Sequence, residues 1–195
     1  MTSALSLAVD AQPVSEDDDV LAAVAGDAAA FDRLYMRFLP PVYRYIRARS
    51  ASPEDAADLT QLVFLNAFRK LSQYRTQKAG FAAWLFGIAR NAVRDAYRRG
   101  DKPALSWDVV PAARMPSAAQ TPENALVAAE TVARIRAAIA ALDRDKQELL
   151  ALRFAAGLTS VQIGAVVGKR EGAVKKQLWR LIQQLKKDFD DEHLS

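Results

Sequence analysis

Wherever apolar residues cluster along this chain they recur at intervals of three and four, the spacing of one helix face, and no stretch alternates with the two-residue period of a half-buried strand. Phe31, Leu34, Tyr35 and Phe38 make one such stripe; Pro40-Pro41 is expected to interrupt it, and Val42, Tyr45 and Ile46 resume it. Ser52-Pro53-Glu54-Asp55 reads as a helix start, with a capping hydroxyl, Pro at the first helical position and acids behind it, and the apolar pattern then runs to Leu71. A further helix is predicted from about Gly80 to Arg99, with Phe81, Trp84, Leu85, Ile88 and Ala92 as its core stripe. Pro103, Pro111, Pro116 and Pro122 then break the periodicity, and Thr121-Pro122-Glu123 opens a second helical stretch punctuated at Leu142-Asp143, Gly157 and Gly168. The expectation is an all-α chain with two helical domains at 19–100 and 125–190. A Pro-rich linker at 101–124 joins them, and a flexible acidic arm at 1–18 ends in residues that cap a helix beginning near Val20.

The second stretch contains a predicted helix-turn-helix. Thr159 caps a short helix that turns at Gly168, and a second helix runs from about Glu171 to Lys187. Ile163, Val166 and Val167 on the first, with Val174, Leu178, Leu181 and Leu185 on the second, have the spacing that packs two short helices around a turn. Lys175, Lys176, Trp179 and Arg180 fall on another face of the second helix. A cationic face with one aromatic suits the major groove, where long basic side chains reach guanine edges and phosphates.

Charge sharpens the picture. The net charge of +4 divides into −6 over residues 1–30, +8 over 31–102, −2 over 103–130 and +4 over 131–195. Two basic blocks separated by a neutral-to-acidic stretch point to two modules that each face a polyanion, because clustered Lys and Arg release counterions on meeting phosphates. In the first block Arg90, Asn91, Arg94, Tyr97 and Arg98 lie off the core stripe of their helix, a set fit for single-stranded nucleic acid: bases stack on rings, phosphates meet Arg, and Asn reads a base edge. On the helix 53–71, Asp58, Gln61, Leu62 and Leu65 share one stripe, with Leu59, Val63, Phe64 and Phe68 on neighbouring faces. Alone, that pattern reads as a helix buried all round; the polar pair within the stripe makes it a candidate docking face for a partner protein.

Three blocks in order, Asp58-Leu-Thr-Gln61-Leu-Val-Phe-Leu-Asn-Ala-Phe68, Phe81-Ala-Ala-Trp84-Leu-Phe-Gly-Ile-Ala-Arg-Asn91 and the helix-turn-helix with Glu171-Gly172-Ala-Val174-Lys175, resemble the extracytoplasmic-function group of bacterial sigma factors, from about Val20 to Phe189. The resemblance implies that 19–100 is a region 2 domain, which docks on the β′ clamp helices of core RNA polymerase through Asp58, Gln61, Leu62 and Leu65. The same domain would recognise and open the minus-ten element through Tyr74, Arg75, Phe81, Arg90, Asn91, Arg94 and Arg98. A flipped base would lie under the loop Tyr74–Phe81, with Asn91 at a pocket position. It implies further that 125–190 is a region 4 domain reading the minus-thirty-five element with Arg170, Lys175, Lys176, Trp179 and Arg180, and that the linker threads toward the polymerase cleft and RNA exit path. Core polymerase, including its β subunit, duplex and single-stranded promoter DNA, and an anti-sigma factor acting in trans are the implied partners. The sequence departs from the family pattern at Gly164, where Ala is usual, and at Arg170, where a Ser cap is usual; in a helix interior Gly costs about 1 kcal/mol against Ala.

Enzyme chemistry finds little to build on. Cys is absent, which removes disulfides, thiolate metal sites and cysteine nucleophiles, and is consistent with a reducing cytoplasm. The single His, His193, sits in an acidic tail, no phosphate-binding glycine loop or metal-ligand spacing is present, and Glu16 to Asp19 reads as a solvated helix entry. No cofactor is expected. The longest apolar run, Phe81 to Ala89, is far short of the roughly 20 residues of a membrane span, and no basic residue opens the N-terminus as in a secretory signal, so neither membrane insertion nor export is expected. The alternative function is a stand-alone helix-turn-helix regulator with an N-terminal sensing domain, which would bind duplex DNA without polymerase.

Overall fold

The computed structural model describes residues 15–99 and 122–192, with side chains described over 15–99 and 130–187. Most of the acidic arm, most of the linker and His193 therefore lie outside the described residues. Those described form eight α-helices and no strand. Helices α1 (Glu16–Val24), α2 (Ala28–Arg47), α3 (Pro53–Lys70) and α4 (Gly80–Arg99) pack as an N-terminal group, with a 3-10 turn at Leu71–Gln73 after α3. Helices α5 (Pro122–Ala140), α6 (Arg144–Leu150), α7 (Ser160–Val167) and α8 (Glu171–Glu192) follow, and α6 runs into a π-helical turn at Ala151–Ala155.

The starts of these helices are set by local chemistry. Ser52 accepts a hydrogen bond from the Asp55 amide at 3.0 Å ahead of Pro53, Asp143 accepts one from Lys146 at 2.9 Å to start α6, and Thr159 and Gln162 make a reciprocal capping box on α7. The cap hydrogen bonds to the Lys146 amide and side chain hold the Asp143 carboxyl below its ordinary range. Gly168 ends α7 at φ 73°, a conformation open to Gly at no steric cost.

Two expectations need correction. The first concerns Pro40-Pro41, which does not interrupt the helix: α2 is continuous from Ala28 to Arg47. Each proline forfeits one backbone hydrogen bond, and the carbonyls released belong to the exposed Met36 and Arg37. Leu34, Phe38, Val42, Tyr45 and Ile46 stay in phase across the pair and all are buried, at about 1.5–3 kcal/mol for each large side chain, which outweighs a helix-interior proline at about 3 kcal/mol. The second concerns α1, which begins at Glu16 rather than near Val20, with Ser15 as its cap. Its acids are not all solvated either. Asp19 is buried and paired with Arg33 Nε at 2.7 Å, tying α1 to α2.

Helix α4 carries more buried surface than its single predicted stripe. Phe86, Ala89, Val93 and Ala96 are buried as well as Phe81, Leu85 and Ala92, because α2 and α3 cover one side of the helix and α7 lies against another. The two helix groups consequently share one continuous apolar core, from Val20 to Leu181.

Candidate nucleic-acid interface

Three surfaces collect the residues singled out in the sequence. On α3, Asp58, Gln61, Leu62 and Leu65 are all exposed, while Val63, Phe64 and Ala67 on the opposite side are buried. The helix is not buried all round. Leu62, Leu65 and Phe68 stand 38%, 45% and 58% exposed, an apolar strip that water disfavours and a partner would cover. Phe68 belongs to this strip although the sequence reading placed it on a neighbouring face. Its position three residues beyond Leu65 continues the same stripe and was the available signal.

The second surface belongs to α4. Asn91, Arg94 and Arg98 are exposed and line a cleft of about 510 Å³ together with Arg90, Arg49 and Arg144. Arg98 is held by Asp95 one turn back. The loop before α4 has a different character. Tyr74 and Phe81 are buried: Tyr74 meets Phe81 and Trp84 edge-on and Phe81 meets Phe38 at a tilt, with ring centroids 5.3 to 5.6 Å apart. Their rings hold the loop onto the core and present no free stacking face. Arg75 is exposed and donates back to the Ser72 and Tyr74 carbonyls. Of the proposed promoter-opening residues, the structure therefore gathers Arg90, Asn91, Arg94 and Arg98 on one cleft and sets Tyr74 and Phe81 beneath the loop.

The third surface is α8. Val174, Leu178 and Leu181 are buried against α7, and this turns Lys175, Lys176, Trp179 and Arg180 outward, with Trp179 62% exposed. Arg170 is exposed in the turn just ahead. Lys175 Nζ pairs with Glu171 Oε1 at 2.6 Å, and this hydrogen bond and charge hold the Glu171 carboxyl below its usual range. A solvent-facing basic strip on the second helix of a helix-turn-helix has the geometry for a DNA groove.

One cluster had no sequence signal. Where the two helix groups meet, Glu148 of α6 accepts from Tyr45 Oη at 2.6 Å and from Arg49 Nη1 at 2.5 Å, and all three residues are buried. Burial, then the nearby Glu148 charge, pushes the Tyr45 phenol well above 10.0. Burial pulls the Arg49 guanidinium down, but Glu148, Tyr45 and Tyr97 overcome it and leave Arg49 above its ordinary value. The residues lie 99 and 103 positions apart, so no local pattern relates them. Among the described residues no group of acids or His is placed to hold a metal, and no helix is long and apolar enough to cross a membrane.

Comparison with known proteins gives these surfaces a context. A family model described as Sigma-70 region 2 matches residues 34–102. The ECF RNA polymerase sigma factor SigD of Mycobacterium tuberculosis is 34% identical over 180 residues, covering 89% of this chain and 83% of SigD. The ECF RNA polymerase sigma factor BldN of Streptomyces coelicolor is 34% identical over 172 residues, covering 87% of this chain and 64% of BldN. The chain thus spans a little under two thirds of that relative. CnrH, solved in complex with the cytosolic domain of CnrY, has the same fold at a TM-score of 0.65 and 22% identity, covering 92% of this chain and 99% of CnrH. A helix-turn-helix with an outward basic helix, joined to a helical group with an exposed apolar strip, fits a DNA-binding transcription protein. The chain belongs to the extracytoplasmic-function family of RNA polymerase sigma factors, which are non-enzymatic initiation factors. The reading as a stand-alone helix-turn-helix regulator is set aside.

Proposed function

We propose that this sigma factor docks on the β′ clamp helices of core RNA polymerase through the exposed strip of α3, opens the minus-ten element with the Arg90, Asn91, Arg94 and Arg98 face of α4, and reads the minus-thirty-five element with α8. The division of labour follows the sequence boundaries: 19–100 acts at the clamp and the melted strand, 125–190 at the upstream duplex, and 101–124 spans the polymerase cleft between them. The observation that carries this reading is the α3 strip, where Asp58 and Gln61 stand exposed beside Leu62, Leu65 and Phe68. Apolar area of this kind on one helix face is costly unless a partner removes it from water, at about 25 cal/mol per Å². The chain itself catalyses nothing in this account; bond formation belongs to the polymerase, and the work is done in the cytoplasm, where the polymerase and promoters are. CnrH, whose fold this chain shares, is solved with the cytosolic domain of CnrY, and on that precedent of a protein partner in trans we read an anti-sigma factor as the partner here.

Co-purification with core polymerase tests the docking face. Asp58→Arg combined with Gln61→Ala should weaken the complex at least tenfold while leaving the helical circular-dichroism signal intact. Equal recovery of core by the variant and the wild type would show that docking uses another surface. Open-complex formation by the reconstituted holoenzyme tests the α4 face separately: Asn91→Ala should retain core binding and reduce permanganate-reactive thymines on a linear promoter.

A further inference from the structure

The carboxylate of Glu148 comes from the C-terminal helices, but the groups that receive it belong wholly to the N-terminal ones. Tyr45 lies in the last turn of α2 and Arg49 in the turn that follows it, and Arg90 of α4 completes the set, with its buried Nε 3.8 Å from Glu148 Oε1 and without a hydrogen-bond partner. Arg49 is also held from a side that Glu148 does not touch. Arg49 Nε donates to Tyr97 Oη at 3.2 Å, and Tyr97 Oη donates in turn to the Arg49 carbonyl at 2.7 Å, so α4 fixes the guanidinium from behind. Two guanidinium groups and a phenol converging on one point form a receptor for an oxyanion, and phosphate answers to that chemistry as well as carboxylate does.

The position of this receptor matters as much as its chemistry. It opens on the same cleft that Asn91, Arg94 and Arg98 line. Further guanidinium contacts tie the N-terminal helices to the C-terminal ones: Arg44 Nε donates to the Ala155 carbonyl of the π-helical turn at 3.0 Å, and Arg90 Nη1 to the Val166 carbonyl of α7 at 3.4 Å. Guanidinium groups suited to a nucleic-acid backbone are spent on the protein's own chain. A buried ion pair contributes little net stability once its desolvation is counted, so an arrangement in which water and phosphate replace Glu148 lies within reach.

We propose that Glu148 is an internal stand-in for a nucleic-acid phosphate: it seats in the Tyr45, Arg49 and Arg90 receptor, holds the C-terminal helices against the α4 face, and must leave before that face takes a DNA backbone. The inference rests on reading α4 as a nucleic-acid surface. It adds a competition to that reading, since one receptor serves either the closed protein or the bound strand. It also adds Tyr45 and Arg49 to the residues that meet the backbone.

The full chain tests this in two measurements, small-angle scattering without nucleic acid and fluorescence anisotropy with a labelled poly-dT strand at fixed salt. Glu148→Ala should increase the radius of gyration and tighten poly-dT binding by up to about tenfold, the ceiling when the competent open form is about a tenth of the wild-type population. Arg49→Ala should open the protein equally but bring no gain in affinity, because the receptor itself is lost. Glu148→Gln, which keeps the shape and drops the charge, should move both readouts in the direction of Glu148→Ala and serves if the alanine variant fails to fold. The proposal is overturned if the Glu148 variants stay as compact as the wild type, or if Arg49→Ala binds poly-dT as tightly as Glu148→Ala. If Glu148→Ala opens and no variant binds the strand, the nucleic-acid reading of α4 fails, and the proposal with it.

Discussion

Gly164 sits inside α7, where local propensity and tertiary packing predict opposite results for Gly164→Ala. Propensity alone favours the alanine variant by about 1 kcal/mol. A Cβ built at this position, however, falls 2.5 Å from the Lys169 carbonyl oxygen, well inside an ordinary contact of 3.4–4 Å. Relief requires a backbone shift of roughly 1 Å, because the atom it meets is main chain and not the tip of a flexible side chain. The segment that would move is already committed. The Lys169 amide donates to the Gly164 carbonyl at 2.9 Å, and the next carbonyl, of Arg170, accepts from Ala173 and Val174 at 3.0 and 3.1 Å as α8 begins. Overpacking of this kind costs about 1–3 kcal/mol, and a hydrogen bond lost with it about 1 kcal/mol more. After the propensity gain, a net destabilisation of about 1–3 kcal/mol remains, and Tm should fall by roughly 2 to 12 °C for a chain of this size. Thermal unfolding followed by circular dichroism measures it, with the exposed neighbour Ala165→Gly as a control for propensity alone, expected to lose about 1 kcal/mol. An unchanged or higher Tm for Gly164→Ala would show that the turn yields freely and that the close approach imposes no constraint.

Two further expectations follow from the charges. Tyr45 is held neutral with its pKa raised above 10.0, so its contribution is fully present below that pH and is lost as pH rises through the folded value. An alkaline titration should show Tyr45 ionising only together with loss of the native signal, so that Tyr45→Phe removes one late-ionising tyrosine; a titration curve identical for the variant and the wild type at pH values below the structural transition, apart from the loss of one early-ionising tyrosine, would refute it. On α8, Lys175 already has Glu171 as a partner, so meeting a phosphate means releasing an acid. Arg180→Ala should lower the salt slope of duplex DNA binding by about 0.9, one phosphate contact, and Lys175→Ala by clearly less; equal slopes would mean that the Glu171 pair does not persist in solution.

The features legible in the sequence are those set by neighbours a few residues apart. The cap at Ser52-Pro53, the Gly80–Arg99 helix, the cap at Thr159 and the turn at Gly168 rest on side chains bonding to amides within one turn or on the backbone freedom of one residue, and each is found where local chemistry placed it. The same holds for the outward face of α8, since periodicity assigns residues to faces. Periodicity does not say what covers a face. Helix α2 runs through two prolines because distant helices bury its stripe, Asp19 is buried because Arg33 of the next helix reaches it, and Tyr74 and Phe81 are interior because Phe38 and Trp84 close over them. Gly164, a propensity defect by local rules, is a site of close approach once Lys169 is in place. The Glu148 cluster belongs wholly to the tertiary structure: each of its members is an ordinary helix or turn residue by itself, and only packing of the two helix groups takes them out of water together, where a carboxylate and a guanidinium must find each other.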